Sequence, residues 1–184
     1  MASFQAGTFD FTLLTTHMRW GKNEKEREKP LKLLAKWVKK RSKDPYVVDH
    51  DIIVMGDFNI PTVKKKDKLF QAITSEGLRM PLGIRDARGS NLSGRNRYDQ
   101  ILHMPAYNSN FTDHGGVLDV YCDSYKPLFP GTSKTERKLT WEISDHLPLW
   151  IQVNSDNEEK ELEQLLGGKE KSRRKDWGES PQSV

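Results

Sequence analysis

The feature that most constrains this chain is a short apolar run, Ile52-Ile53-Val54-Met55, that passes directly into Gly56-Asp57-Phe58-Asn59. An uninterrupted apolar run of this length is the pattern of a strand buried on both faces. Its flanks supply the rest of an α/β pattern. Residues 8–17 alternate Phe9, Phe11 and Leu13 with Asp10 and Thr12, the period of a half-buried strand. Residues 24–40 carry Leu31, Leu34, Ala35 and Val38 at i, i+3, i+4 and i+7 among lysines, the period of an amphipathic helix. Pro30 suits a first helical turn better than an interior, so the helix is expected to begin near Lys29 or to kink there. A second helix is expected over residues 67–76, with Gly77 as its stop. Residues 97–103 and 147–153 read as further strands. Residues 108–138 read mostly as loop, with a short strand or helix near 117–121. Strands alternating with helices give an α/β class, with an inventory of only four or five strands.

Four segments carry chemistry, each at or near a strand end, where α/β folds place active sites. In an extended Asp57-Phe58-Asn59, the carboxylate and the amide project to one side. One can bind a metal or a water and the other can donate to a phosphate oxygen; Gly, Asp and Asn are equally ordinary turn residues. Ser144-Asp145-His146-Leu147-Pro148 leads into the last strand, and neighbouring Asp145 and His146 face different partners unless a turn joins them. Asp99, in Tyr98-Asp99-Gln100-Ile101, is a charge in an otherwise apolar strand. It needs a partner, such as a buried histidine, or an edge position facing water. His17 closes the strand of residues 8–17, a place where a lone histidine is more often structural than catalytic.

Taken in order, His17, Gly56-Asp57-Phe58-Asn59, Tyr98-Asp99-Gln100-Ile101 and Ser144-Asp145-His146-Leu147-Pro148 resemble the endonuclease/exonuclease/phosphatase superfamily, the group that includes deoxyribonuclease I. The resemblance spans residues 4–153. It implies part of a four-layered α/β sandwich, two packed mixed sheets flanked by helices, and hydrolysis of phosphodiester or phosphomonoester bonds with Mg²⁺ or Mn²⁺. By the same resemblance His146 activates the attacking water and Asp99 orients it. His17 protonates the leaving oxygen or stabilises the developing charge. Asp57 and Asn59 position nucleophile and phosphate, and Asp145, with Asp57, is a metal carboxylate. A histidine at position 17 looks more like the deoxyribonuclease I, sphingomyelinase or inositol-phosphatase branches than the exonuclease III branch, where tyrosine is usual. Two histidines with ordinary pKa values near 6.5 can serve as base and acid around neutrality.

The resemblance departs in one place. Family members carry a metal-binding glutamate in their amino-terminal half, and no Gln-Glu or Asn-x-Gln-Glu segment precedes His17 here. The 184 residues are therefore expected to be an amino-terminally truncated part of the fold, weakly active or inactive alone. Basic residues supply the substrate expectation: Arg19 beside Trp20, Lys64-Lys65-Lys66, and Arg95 with Arg97, of which Arg19 and Arg97 are the candidate substrate contacts together with Asn59. They would contact a phosphate backbone and Trp20 would stack a base, or they are a solvated surface around a core tryptophan. A net charge of +4 permits a polyanion without demanding one. The function expected is metal-dependent, nuclease-like phosphodiester hydrolysis; the alternatives are a small or lipid phosphoester substrate, or an inactive binding fragment.

Composition sets the remaining bounds. With 35% hydrophobic and 30% charged residues the mix is that of a soluble globular domain. No apolar run approaches the roughly 20 residues of a membrane span. Residues 1–10 lack the basic-then-apolar layout of a secretory signal, so a cytoplasmic location is expected. The single cysteine, Cys122, excludes an internal disulfide and a Cys-rich zinc site and reads as a small structural residue. Residues 154–184 are charged and poor in apolar side chains beyond a short amphipathic stretch at 158–166. They read as a disordered tail to a domain of residues 1–153.

Overall fold

In a computed structural model of the chain, the structure describes residues 1–47, 49–104, 110–121, 140 and 143–156. The expectations for Cys122 and for the tail from residue 157 onward lie outside these residues. The elements run β1 (Ala2–Ala6), β2 (Phe9–His17), α1 (Glu24–Arg41), β3 (Ile52–Asp57), α2 (Lys68–Thr74), α3 (Leu82–Arg85), β4 (Asp99–His103), β5 (Phe111–Val117) and β6 (Leu149–Val153). Strands β1 to β4 form one sheet in the order β1-β2-β3-β4, and β5 pairs with β6 in a second. The β2–β3 pair is parallel, with α1 in the crossover, while β1–β2 and β3–β4 are antiparallel.

The apolar run is buried on both sides because β3 sits inside the larger sheet with a different core on each face. Ile52 and Val54 point to one side, where they join Leu31, Ala35 and Val38 of α1 and Leu69, Ala72 and Ile73 of α2. Ile53 and Met55 point to the other, among Ile101, Phe11, Leu13 and the β5–β6 residues Phe111, Leu149 and Ile151. This is the two-residue period of an extended chain with both phases apolar. The layers are thus helix, four-stranded sheet and two-stranded sheet, a mixed α/β arrangement. Among the described residues the outer helical layer of a four-layer sandwich is not formed. The one-turn α3 packs on β5 and β6, with its buried Ile84 in the same core as Ile53 and Ile101.

Two expectations are corrected and one strand was not foreseen. Helix α1 covers the expected residues 24–40 and runs on to Arg41, but it starts at Glu24 rather than near Lys29 and keeps Pro30 in its interior. Asn23 caps it, its side chain accepting from the Lys25 amide, and Glu24 and Glu26 in the first turn face the positive end of the helix dipole. Those terms, with the buried Leu31, Ala35 and Val38, outweigh a lost backbone hydrogen bond. Strand β1 was not foreseen, although Ala2, Phe4 and Ala6 alternate with Ser3 and Gln5; five mostly exposed residues make a weak signal, and the strand forms by pairing with β2 around the Gly7-Thr8 turn, Gly7 taking φ 63°. Strand β5 lies at residues 111–117 rather than 117–121. Its Gly115-Gly116 hides it from strand propensity, and its register with β6 shifts between Phe111 and Gly115.

Two titratable groups are partly buried within this frame. The His103 imidazole stacks on Phe111 at 3.8 Å, and burial, then the nearby Arg79 charge, push its pKa down to about 4. Asp51, directly before β3, has one carboxylate oxygen buried without a partner among the described residues, and desolvation raises its pKa to about 6 from an ordinary 3.8. A carboxyl bound more tightly to its proton in the folded state stabilises that state below pH 3.8 and loses the contribution as pH rises through about 6. Asp51→Asn is expected to raise stability at pH 8 by about 1 kcal/mol, allowing for solvent screening of a half-buried group, and to change little at pH 3.5. Urea midpoints at the two pH values check this; a loss of stability at pH 8 would contradict it.

Candidate active site

The site is assembled by strand register. His17, the last residue of β2, is the Cα partner of Asp57, the last residue of β3, and Asp57 is the partner of Asp99, the first residue of β4. Neighbouring strands lie about 4.8 Å apart, so His17 and Asp99 flank Asp57 across about 10 Å of sheet edge. His146 arrives from the approach to β6. Its backbone forms an isolated bridge with Asn91, and the Leu147 amide donates to the Ser90 carbonyl at 2.6 Å. Buried Ser90 is the hinge of this approach, since its hydroxyl also accepts from the Asp99 amide at 3.1 Å.

Two carboxylate–imidazole pairs result. His146 Nδ1 lies 2.7 Å from Asp99 Oδ2, and both side chains are largely but not fully covered. His17 Nε2 lies 3.4 Å from Asp57 Oδ2, with the imidazole 78% exposed against 20% for the carboxylate. Two like charges on facing strand residues repel, and each here has an imidazole beside it. The Asp99 contact engages Nδ1 of His146 and leaves Nε2 as the nitrogen free to exchange a proton. Tyr98 stacks on the His146 ring at 5.9 Å and 29°.

Asn59 completes the row. Its amide donates to Asp57 Oδ1 at 2.7 Å, its side-chain Nδ2 donates to the Met18 carbonyl at 2.6 Å, and its own carbonyl accepts from Arg27. It is buried and holds a left-handed φ of 54°, a conformation asparagine tolerates better than most residues. Three residues earlier, Gly56 has φ 135°, and a Cβ there would overlap the Thr16 carbonyl oxygen. The Gly-Asp-Phe-Asn segment therefore turns sharply while keeping β3 tight against β2.

The remaining expected residues lie as follows. Asp145 is exposed, directly before His146. Arg19 is exposed and lines a cleft beside the site. Arg97 is turned to the protein: its guanidinium donates to the Ile84 and Arg85 carbonyls at the end of α3, and burial lowers its pKa. Lys64, Lys65 and Lys66 are exposed. Sequence reading passed over Ser90, Asn91 and Arg27, whose roles here run largely through backbone groups; no local motif marks them. Among the described residues no group of three or more His, Cys, Asp or Glu side chains is arranged to hold a metal. Oxygen donors of the kind Mg²⁺ prefers are present, but Asp57 is already engaged by His17 and the Asn59 amide. The described residues do not by themselves define a metal site.

Comparison with solved structures agrees with this topology. A mannosyl-6-phosphatase from Bacteroides thetaiotaomicron superposes with a TM-score of 0.52 at 21% identity, over 79% of this chain and 51% of that one. The fold is deoxyribonuclease I-like. Staphylococcus aureus beta toxin (TM-score 0.47, 16% identity, 83% of this chain and 55% of that one) is also similar. So is an endonuclease/exonuclease/phosphatase family protein from B. thetaiotaomicron (0.47, 19%, 79% and 48%). The chain spans about half the length of these structures. No protein-family model and no curated protein sequence matches it.

The backbone at Gly56 gives a direct test. Gly56→Ala is expected to destabilise the fold by about 3 kcal/mol or more, because it adds a steric overlap to a positive φ. Gly21→Ala, where an added Cβ meets nothing within 4 Å, is the control and should shift the urea midpoint little.

Proposed function

We propose that the chain hydrolyses phosphoester bonds by water attack, with His146 as general base and His17 as general acid. The observation that carries this reading is the order His146, Asp99, Asp57, His17 along one sheet edge, two imidazoles each backed by a carboxylate, the carboxylates on paired neighbouring residues. Asp99 holds His146 in the tautomer with the proton on Nδ1, so Nε2 takes a proton from water. The hydroxide forms a bond to phosphorus as the bond to the leaving oxygen breaks. Protonated His17, beside Asp57, returns a proton to that oxygen. Asn59, fixed at its backbone and its amide, keeps Asp57 oriented toward the phosphate.

The finer parts of the proposal are a nucleic-acid-like substrate, supported by exposed Arg19 beside the site, and a requirement for Mg²⁺ or Mn²⁺ with Asp57 and Asp145 as the carboxylates offered. No step above depends on the ion. The metal part fails if EDTA leaves the rate unchanged.

With a phosphodiester substrate, His146→Ala is expected to lower kcat by roughly 100- to 10,000-fold, the usual range for a general base. Asp99→Asn should lower it by about 10- to 100-fold, the cost of losing an orienting partner. The pH profile should be bell-shaped, and its acid limb should be lost in His146→Ala. Unchanged hydrolysis in both variants would exclude this site from the chemistry.

A further inference from the structure

Helix α1 belongs to the helical layer on the outside of the larger sheet, and its face turned away from that sheet is not simply polar. Leu31, Ala35 and Val38 are buried in the core, as a packed helix requires. On the other side Leu33 is 58% exposed and Trp37 41%, four residues apart and so one above the other on the helix surface. Lys29, Lys36 and Lys40 fall four residues before, three after and seven after Leu33, which places them on the same face, and all three are exposed. The acids around them are already engaged. Glu28 pairs with Lys32, Glu24 with Lys68, Asp44 with Arg41, and Glu76, just beyond α2, with Lys39. Glu26 accepts from the Asn23 side-chain amide. Among the described residues Lys29, Lys36 and Lys40 form no ion pair, so the apolar pair is ringed by uncompensated ammonium groups.

The charge calls for an anionic partner, and the side chains select its kind. Every cation of the ring is lysine, whose stem lies along apolar surface while its head stays in water. Lysine is depleted at protein–protein interfaces, and nucleic-acid recognition favours the planar fork of arginine. An exposed leucine gains nothing on a phosphate backbone but gains by burial among acyl chains. Tryptophan settles at the level of lipid headgroups, its apolar body inward and its N–H toward water. We propose that the outer face of α1 is an attachment surface for an anionic lipid bilayer, with Leu33 and Trp37 entering the headgroup–acyl boundary and Lys29, Lys36 and Lys40 meeting the lipid charge. Two apolar side chains and three lysines make the attachment reversible. The surface is on the helix face opposite the sheet that carries His17, Asp57 and Asp99, so it is separate from the catalytic row and holds or fails independently of the phosphoesterase reading.

The test is co-sedimentation of the full chain with vesicles of phosphatidylcholine alone and of phosphatidylcholine with about one third phosphatidylserine. The anionic vesicles should bind at least about tenfold more tightly, and the difference should shrink as salt rises. The triple change Lys29→Gln, Lys36→Gln, Lys40→Gln should weaken binding about 100-fold, roughly fivefold for each lysine near an anionic surface. Trp37→Ala should weaken it about tenfold and Trp37→Phe should keep most of it. Leu33→Gln, a good helix former at an exposed position, reads the apolar part a second time and should also weaken binding. The triple change Lys64→Gln, Lys65→Gln, Lys66→Gln removes the same charge elsewhere and should leave binding unchanged. No vesicle binding, equal binding to both vesicles, or an equal loss in the two lysine triples overturns the surface. So does a Trp37→Ala chain that binds vesicles like the unaltered one while the α1 lysine triple loses affinity for duplex DNA, which assigns these lysines to a polyanion instead.

Discussion

The structure depends on the two-sided burial of β3. A strand with apolar groups on both faces can sit only where both are covered. Here α1 and α2 cover one face, and the sheet of β5 and β6 covers the other. The same pattern fixes the register. Sliding β3 by one residue against β2 or β4 would exchange the Ile52/Val54 set with the Ile53/Met55 set and move Asp57 away from both His17 and Asp99. The polar row at the strand ends is thus held by apolar packing several residues away, and its members need little attraction for one another to stay aligned.

That division of labour suits chemistry. Asp57, Asp99 and His146 remain partly open to water, and His17 is mostly open. Exposed or half-exposed ion pairs contribute little to stability, so the row can exchange protons at small structural cost. The conformational cost is carried by the turn. Gly56 at φ 135° and Asn59 at φ 54° bracket Asp57, and strained backbone persists only where its surroundings over-determine it. The bonds of Asn59 to Asp57, Met18 and Arg27 are those surroundings.

How much of this was legible in the sequence follows from what each element depends on. Strands β2 and β3 were legible because their apolar periods are set by burial. His17, Asp57, Asn59, Asp99 and His146 were legible because polar residues at strand ends stand out against those periods. Strand β1 was not, since it is held by backbone pairing and its side chains are mostly exposed. The start of α1 depended on the Asn23 cap, a signal that the conspicuous Pro30 obscured. Arg97 shows the limit of adjacency: two residues from Asp99 in sequence, it points to the α3 carbonyls, because alternate residues along an irregular approach to a strand need not share a face. Ser90 and Arg27 act on backbone groups far away in the chain, and no local pattern encodes a partner 9 or 32 residues distant.

Helix α1 ties the legible and illegible parts together. Its buried face, Leu31, Ala35 and Val38, packs on the sheet and sets the height of the helix above β2 and β3. Its first turns, outside that core, carry Arg27 to the Asn59 carbonyl and over Trp20. One rigid element therefore positions both the turn that holds Asp57 and the wall of the adjoining cleft. A core change that tilts α1 would move the cation and the indole together relative to His146. The spacing between cleft and row is then a property of helix packing, which can be tuned without touching any residue of the row itself.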